Sequence, residues 1–110
     1  MKGFQLKFYM PENRKHHGTL LYEWLIKKAK EMGIHGGSVF RAIAGFGRHG
    51  IIHEEHFFEL ASDVPVETSL ILTGEECDKF LSILKTEKLN IFFVKVPVEF
   101  GVINGEHPQK

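Results

Sequence analysis

The sequence predicts an α+β domain of the ferredoxin-like βαββαβ kind, a four-stranded antiparallel sheet with two helices on one face. Three observations predict it. Segments of period two and of period 3.6 follow one another in that order along the chain. The 110 residues match the length of one domain, so 1–110 reads as a single unit. Two of the expected strands are apolar on both sides, so the sheet carries more apolar surface than two helices cover. That excess points to self-association.

The elements follow in order. Phe4, Leu6, Phe8 and Met10 alternate with Gln5, Lys7 and Tyr9, which is the period of a strand over residues 4–10. Pro11 ends it, and the polar, basic stretch from Glu12 to Gly18 reads as a loop. From Thr19 to Met32, Leu21, Trp24, Leu25, Ala29 and Met32 share a helical face. Gly33 suits the left-handed residue that closes such a helix. Ser38 to Phe46 reads as the second strand, with Val39 and Ile43 on one side and Phe40, Ala42, Ala44 and Phe46 on the other. A loop of about 17 residues, Gly47 to Asp63, follows, and loops of that length are commonly functional. Val64 to Leu72 is the third strand. Thr73-Gly74-Glu75-Glu76 is a capping box that opens the second helix, whose face is Cys77, Phe80, Leu81 and Leu84. Ile91 to Val98 is the fourth strand, and the tail 101–110 is expected to be loose.

Composition narrows the function classes. Hydrophobic residues make up 43% of the chain and aromatics 12%, enough for a packed core. Fourteen basic and fourteen acidic residues cancel, which argues against general nucleic-acid binding. The single cysteine, Cys77, permits no internal disulfide and falls on an apolar helix face, as an inert core thiol would. No segment has the ~18 apolar residues of a membrane span and no leader is visible, so a cytoplasmic protein without membrane insertion is expected.

Several residues are candidates for chemistry. Gly45-Phe46-Gly47-Arg48-His49-Gly50 matches G-x-G-x-x-G, but Ile51-Ile52-His53 gives no helix start, so the dinucleotide reading fails its context. The segment reads either as a plain turn or as a place where glycine N–H groups, Arg48 and His49 meet an anion. His53-Glu54-Glu55-His56 has its histidines at i and i+3 rather than the i and i+4 of the zinc-protease helix, so a solvated loop is the simpler reading. Arg14-Lys15-His16-His17 precedes the first helix, either as a surface basic run or as cations around a phosphate at the helix start. Arg41 lies mid-strand on the side of Val39 and Ile43. Burial there would require a partner, either a carboxylate such as Glu67 or Glu99 or an anionic ligand held by the guanidinium fork.

The segment Gly36-Gly37-Ser38-Val39-Phe40-Arg41-Ala42-Ile43-Ala44-Gly45-Phe46-Gly47 resembles a family of PII-like signalling proteins of unknown function. His17-Gly18, Leu21-Tyr22-Glu23, the stretch from His53 to Phe58, and Asp63-Val64-Pro65-Val66 extend the likeness over about residues 4–98. The resemblance implies a ferredoxin-like homotrimer. Relatives in the wider superfamily bind adenine nucleotides in clefts between subunits, and a long loop then reports to a membrane transporter or an enzyme. Here that loop would be 47–63. Its aromatics are Phe57 and Phe58, where nitrogen-regulatory relatives carry a modified Tyr.

The expectation is therefore a non-catalytic sensor with no required cofactor. It would bind AMP, ADP or ATP, or a similar anion, near Arg41, Gly45, Phe46, Gly47, Arg48 and His49. Arg14, Lys15 and His17 would complete the pocket. Three rivals stand beside it. One is a metal-binding trimer using His49, His53 and His56, as in copper-tolerance proteins of similar fold. Another is a small enzyme with a His base. The third is a plain interaction module.

Overall fold

The structure is a computed structural model that describes residues 1–45 and 64–105. The order of elements is β1 (Lys2–Pro11), β2 (Lys15–His16), β3 (Thr19–Leu20), α1 (Leu21–Glu31), β4 (Gly36–Arg41), β5 (Pro65–Thr73), α2 (Gly74–Thr86) and β6 (Phe92–Glu99). The four long strands form one sheet in the order β4-β5-β1-β6, and every neighbouring pair is antiparallel. The fold is the expected ferredoxin-like α+β arrangement.

The strand period decides which face is buried. Leu6, Phe8 and Met10 of β1 and Val66, Leu70 and Leu72 of β5 point to one side. Leu21, Leu25 and Ala29 of α1 and Cys77, Phe80 and Leu84 of α2 close over them. Full burial of each large apolar side chain contributes about 1.5–3 kcal/mol, so this single layer carries most of the folding energy. Phe8 and Phe80 meet at 5.9 Å between ring centroids in a tilted pair. Gly37 permits the approach of α1 to β4, because a Cβ there would lie 2.9 Å from Leu70 Cδ2 and 3.2 Å from Ile26 Cδ1.

The opposite face has no helix over it among the described residues. The register draws its rows. Phe40, Glu67, Tyr9 and Phe92 run straight across the four strands, followed by Ser38, Ser69, Lys7 and Val94. A third row is Gly36, Ile71, Gln5 and Val96. The centre of this face is thus partly polar, with Gln5 donating to Ser69 Oγ at 3.0 Å. The apolar excess lies along β6 and at Phe40, which is 57% exposed.

Both helices end as the sequence chemistry asks. Thr73 Oγ1 accepts from the Glu76 N–H, and the Glu76 carboxylate accepts from the Thr73 N–H, so the capping box is complete. Gly33 closes α1 at φ +76, with its N–H on Lys30 O and the Ile34 N–H on Ala29 O. The start of α1 differs from expectation. It begins at Leu21, because Thr19 and Leu20 are drawn into a short hairpin with Lys15 and His16. The second strand also differs, ending at Arg41 rather than Phe46. Its partner β5 begins at Pro65, and after Ala42 donates to Pro65 O the ladder has no further strand to pair with among the described residues. Ile43 is accordingly 90% exposed, not part of a buried strand face, and Phe46 lies outside the described residues.

Candidate functional site

One end of the sheet gathers the chemistry. β1 runs out there at Pro11, β5 enters at Pro65 and β4 leaves at Arg41. Backbone bonds tie the connections together. The Glu12 N–H donates to Val64 O at 2.7 Å, and the Leu21 N–H donates to Arg14 O at 2.7 Å. The hairpin β2–β3 spans this end, so Arg14 and Lys15 stand beside the start of α1. Gly45, the first residue of the glycine-rich segment, is the last one described there, and a Cβ on it would meet nothing within 4 Å among the described residues.

Arg41 corrects the sequence reading in two respects. Its side chain is not buried but 65% exposed, and its partner is neither Glu67 nor Glu99 but Glu12. Nε donates to Oε1 at 3.1 Å and Nη2 donates to Oε2 at 2.6 Å, a two-bonded fork. The pleat explains the choice. Arg41 shares the parity of Val39, on the helix side, whereas Glu67 stands opposite Phe40 on the other face. Glu99 sits on β6, the far edge of the sheet. The pairing holds the Glu12 carboxyl below its ordinary range, chiefly through the hydrogen bond from Arg41. It raises Arg41 in turn, with the Tyr22 phenol on α1 a smaller influence. The Nη1 edge of the guanidinium takes no part in this fork.

His17 goes elsewhere. It occupies the hairpin turn at φ +54, with Gly18 at φ +78, the two positive values that a two-residue type I′ turn requires. From there its Nε2 reaches Glu87 Oε1 at 2.9 Å, beside His16 Nε2 at 2.8 Å from the same oxygen. His16 packs on the edge of Trp24, ring centroids 4.8 Å apart and nearly perpendicular. The hydrogen bond from His16, and then that from His17, lowers the Glu87 pKa. Arg41, Arg14, Lys15 and His17 therefore share one end of the molecule, though His17 is tied to Glu87 rather than to the Arg41 fork. Phe46, Gly47, Arg48, His49, His53 and His56 lie outside the described residues.

Glu12 and Glu87 are the residues that sequence reasoning missed, and His16, read as part of the basic run, is absent from the expected pocket. Glu12 carried one usable signal, its place directly after the end of β1. Glu87 carried none, because it meets His16 and His17 only through the folding of a hairpin 71 and 70 residues away in sequence onto the end of α2. The Cys77 thiol is fully buried and burial pushes its pKa up, as an inert core thiol requires. A concavity of about 460 Å³ lies at the opposite end, between Met1, Met32, His35 and the first turn of α2. Glu75, Glu76 and Lys79 line it, and the Glu76 carboxylate is already engaged by the Thr73 N–H at the helix N-terminus.

The match to a family model decides the family. The DUF190 model, described as "Uncharacterized ACR", covers residues 3–98. The chain belongs to the DUF190 family. A UPF0166 protein of Aquifex aeolicus is 36% identical over 80 residues, 73% of this chain and 76% of that protein. A UPF0166 protein of Methanocaldococcus jannaschii is 33% identical over 81 residues, 74% of each. The DUF190 chain also shares its fold with two solved structures. A Thermus thermophilus protein described as a PII-like signaling protein superposes with a TM-score of 0.55 at 18% identity, covering 88% of this chain and 89% of that one. The apo form of CPII from Thiomonas intermedia, a nitrogen regulatory PII-like protein, gives 0.51 at 10% identity, covering 90% and 96%. No described helix of this DUF190 member is long and apolar enough to cross a membrane.

Proposed function

We propose that the protein is a non-catalytic PII-like regulator that binds an anion of the adenine-nucleotide class, AMP, ADP or ATP, in clefts between the subunits of a homotrimer. The observation that carries the reading is the Arg41 fork. Glu12 fixes the guanidinium on its Nε and Nη2 side, and the Nη1 edge, which takes no part in that fork, belongs to a side chain that is 65% exposed. Arg14 and Lys15 stand at the same end of the sheet, and the glycine-rich segment 45–50 leaves from it. Guanidinium, ammonium and glycine N–H groups are the donors that a phosphate takes. The described chain stops at Gly45 and resumes at Val64 at this end, on either side of the expected loop 47–63, so a ligand held there would bear on that segment and, through it, on a transporter or enzyme partner. The PII-like fold neighbours support a regulatory rather than a catalytic role.

Calorimetric titration with AMP, ADP and ATP tests this. Saturable binding by one of them is expected, weakened at least about tenfold in Arg41→Ala, since one charge-assisted hydrogen bond contributes about 1.5–3 kcal/mol. Absence of heat from all three at millimolar concentration overturns the nucleotide assignment.

A further inference from the structure

Two neighbouring imidazoles and one carboxylate converge where the β2–β3 hairpin meets the end of α2. One ligand atom each from His16, His17 and Glu87 lies within 4.8 Å of the others. Successive residues of an extended strand point to opposite sides. These two histidines point together because His17 has left the strand for the left-handed region, which brings the rings to 4.1 Å between centroids. Glu87 comes from 70 residues further along the chain, so no local repeat accounts for the meeting. We propose that His16, His17 and Glu87 form a binding site for a divalent transition-metal cation of the zinc class.

The chemistry fits that cation. Imidazole nitrogen and carboxylate oxygen are zinc donors, and two His with one Glu is a zinc ligand set that leaves a fourth position open. Tetrahedral bonds of about 2.0–2.2 Å place neighbouring donors about 3.3 Å apart. The two N···O separations are 2.8 and 2.9 Å and all three donor atoms lie within 4.8 Å of one another, so the ion is admitted when the carboxylate opens by a few tenths of an ångström and the two imidazole nitrogens draw together by at most about 1.5 Å. The Trp24 edge steadies His16, whose side chain is 13% exposed, while His17 at 68% faces water and leaves the outer position for a solvent ligand. Bound metal would clip the hairpin that carries Lys15 to the end of α2.

Tag-free full-length protein, stripped with EDTA, is titrated with zinc chloride by calorimetry and with cobalt(II) by visible absorption. One site per chain is expected, with the intense d–d bands of four-coordinate cobalt. Affinity falls at least about tenfold in His16→Ala, His17→Gln and Glu87→Gln, on the scale by which even outer-shell partners tune a metal site. The His49→Ala, His53→Ala, His56→Ala triple variant keeps the site. His17→Gln is the safest of these for folding, because its ring is mostly in water, and circular dichroism verifies it. No zinc heat, or zinc affinity unchanged in folded His17→Gln and Glu87→Gln, overturns the assignment. Loss of binding only in the loop variant moves the metal to 49–56 and overturns it as well.

Discussion

Glu12 sets both the direction and the titration of Arg41. The two-bonded fork at 2.6 and 3.1 Å fixes the guanidinium plane at an exposed position, where an unpartnered arginine would sample many rotamers. It also holds the Glu12 pKa below its unfolded value. The sign of the pH effect follows from linkage. A carboxylate with a lowered folded pKa contributes its stability in full above about pH 5 and loses it as the solution is acidified through the lowered value. Urea melts of the wild type and Glu12→Gln should therefore differ at about pH 7 and coincide by about pH 2. A gap of the same size at both values would show that Glu12 acts by packing and not by charge. At this scale the sequence is legible only in part. Arg41 stands out as a charge on an apolar strand, but its partner is fixed by pleat parity and by the turn after Pro11. Neither can be read until the register is known.

The elements that sequence periodicity reveals are those with enough residues to show a period. The four long strands and both helices meet that condition, as does the capping box at Thr73, whose chemistry is local. The hairpin β2–β3 does not, since each strand is two residues long. Its turn is His17-Gly18 in place of the Asn-Gly or Asp-Gly that signals a type I′ hairpin, although His is among the residues that tolerate positive φ. The end of β4 is hidden for another reason, because Ala42 to Phe46 keep alternating in sequence after their pairing partner has stopped at Pro65. The end of α2 yields a prediction. The Lys88 N–H bonds to Lys85 O and the Leu89 N–H to Leu84 O, the same closure that Gly33 and Ile34 make for α1. Lys88 takes the left-handed conformation there, at φ +58, without being glycine. Lys88→Gly should stabilise the protein by about 0.5–1 kcal/mol in urea unfolding, while Lys88→Ala, which removes the charge and keeps the Cβ, should not. Equal effects of the two substitutions would place the gain in lost charge and not in relieved strain.

At the scale of the whole molecule, the uncovered sheet face is what a single chain leaves unfinished. The sequence suggests a broadly apolar surface, and the register refines it. Glu67, Ser69, Lys7 and Gln5 keep the centre polar, while Phe92, Val94, Val96 and Val98 make an apolar stripe along β6, and Phe40 adds to it from the other edge. β4 and β6 are edge strands, whose outer N–H and C=O groups have no strand partner among the described residues, and open edges favour joining to other strands. A face with this distribution suits contact at its margins with neighbouring sheets, the geometry that a trimer with clefts between its subunits would use. Phe92 is the test position. It is 46% exposed, its ring meets Tyr9 at 5.9 Å, and it lies outside the core of Leu6, Phe8 and Phe80. Phe92→Glu should therefore keep the fold and its far-UV circular dichroism, while placing a charge where a neighbouring subunit would bury it. Light scattering after gel filtration should give the wild type about three times the chain mass of 12.6 kDa, and the variant that single mass. A wild type that runs at the single mass at high concentration would overturn the trimer and, with it, any ligand cleft built between subunits. A variant that stays trimeric would instead move the contact from the β6 stripe toward the Phe40 edge.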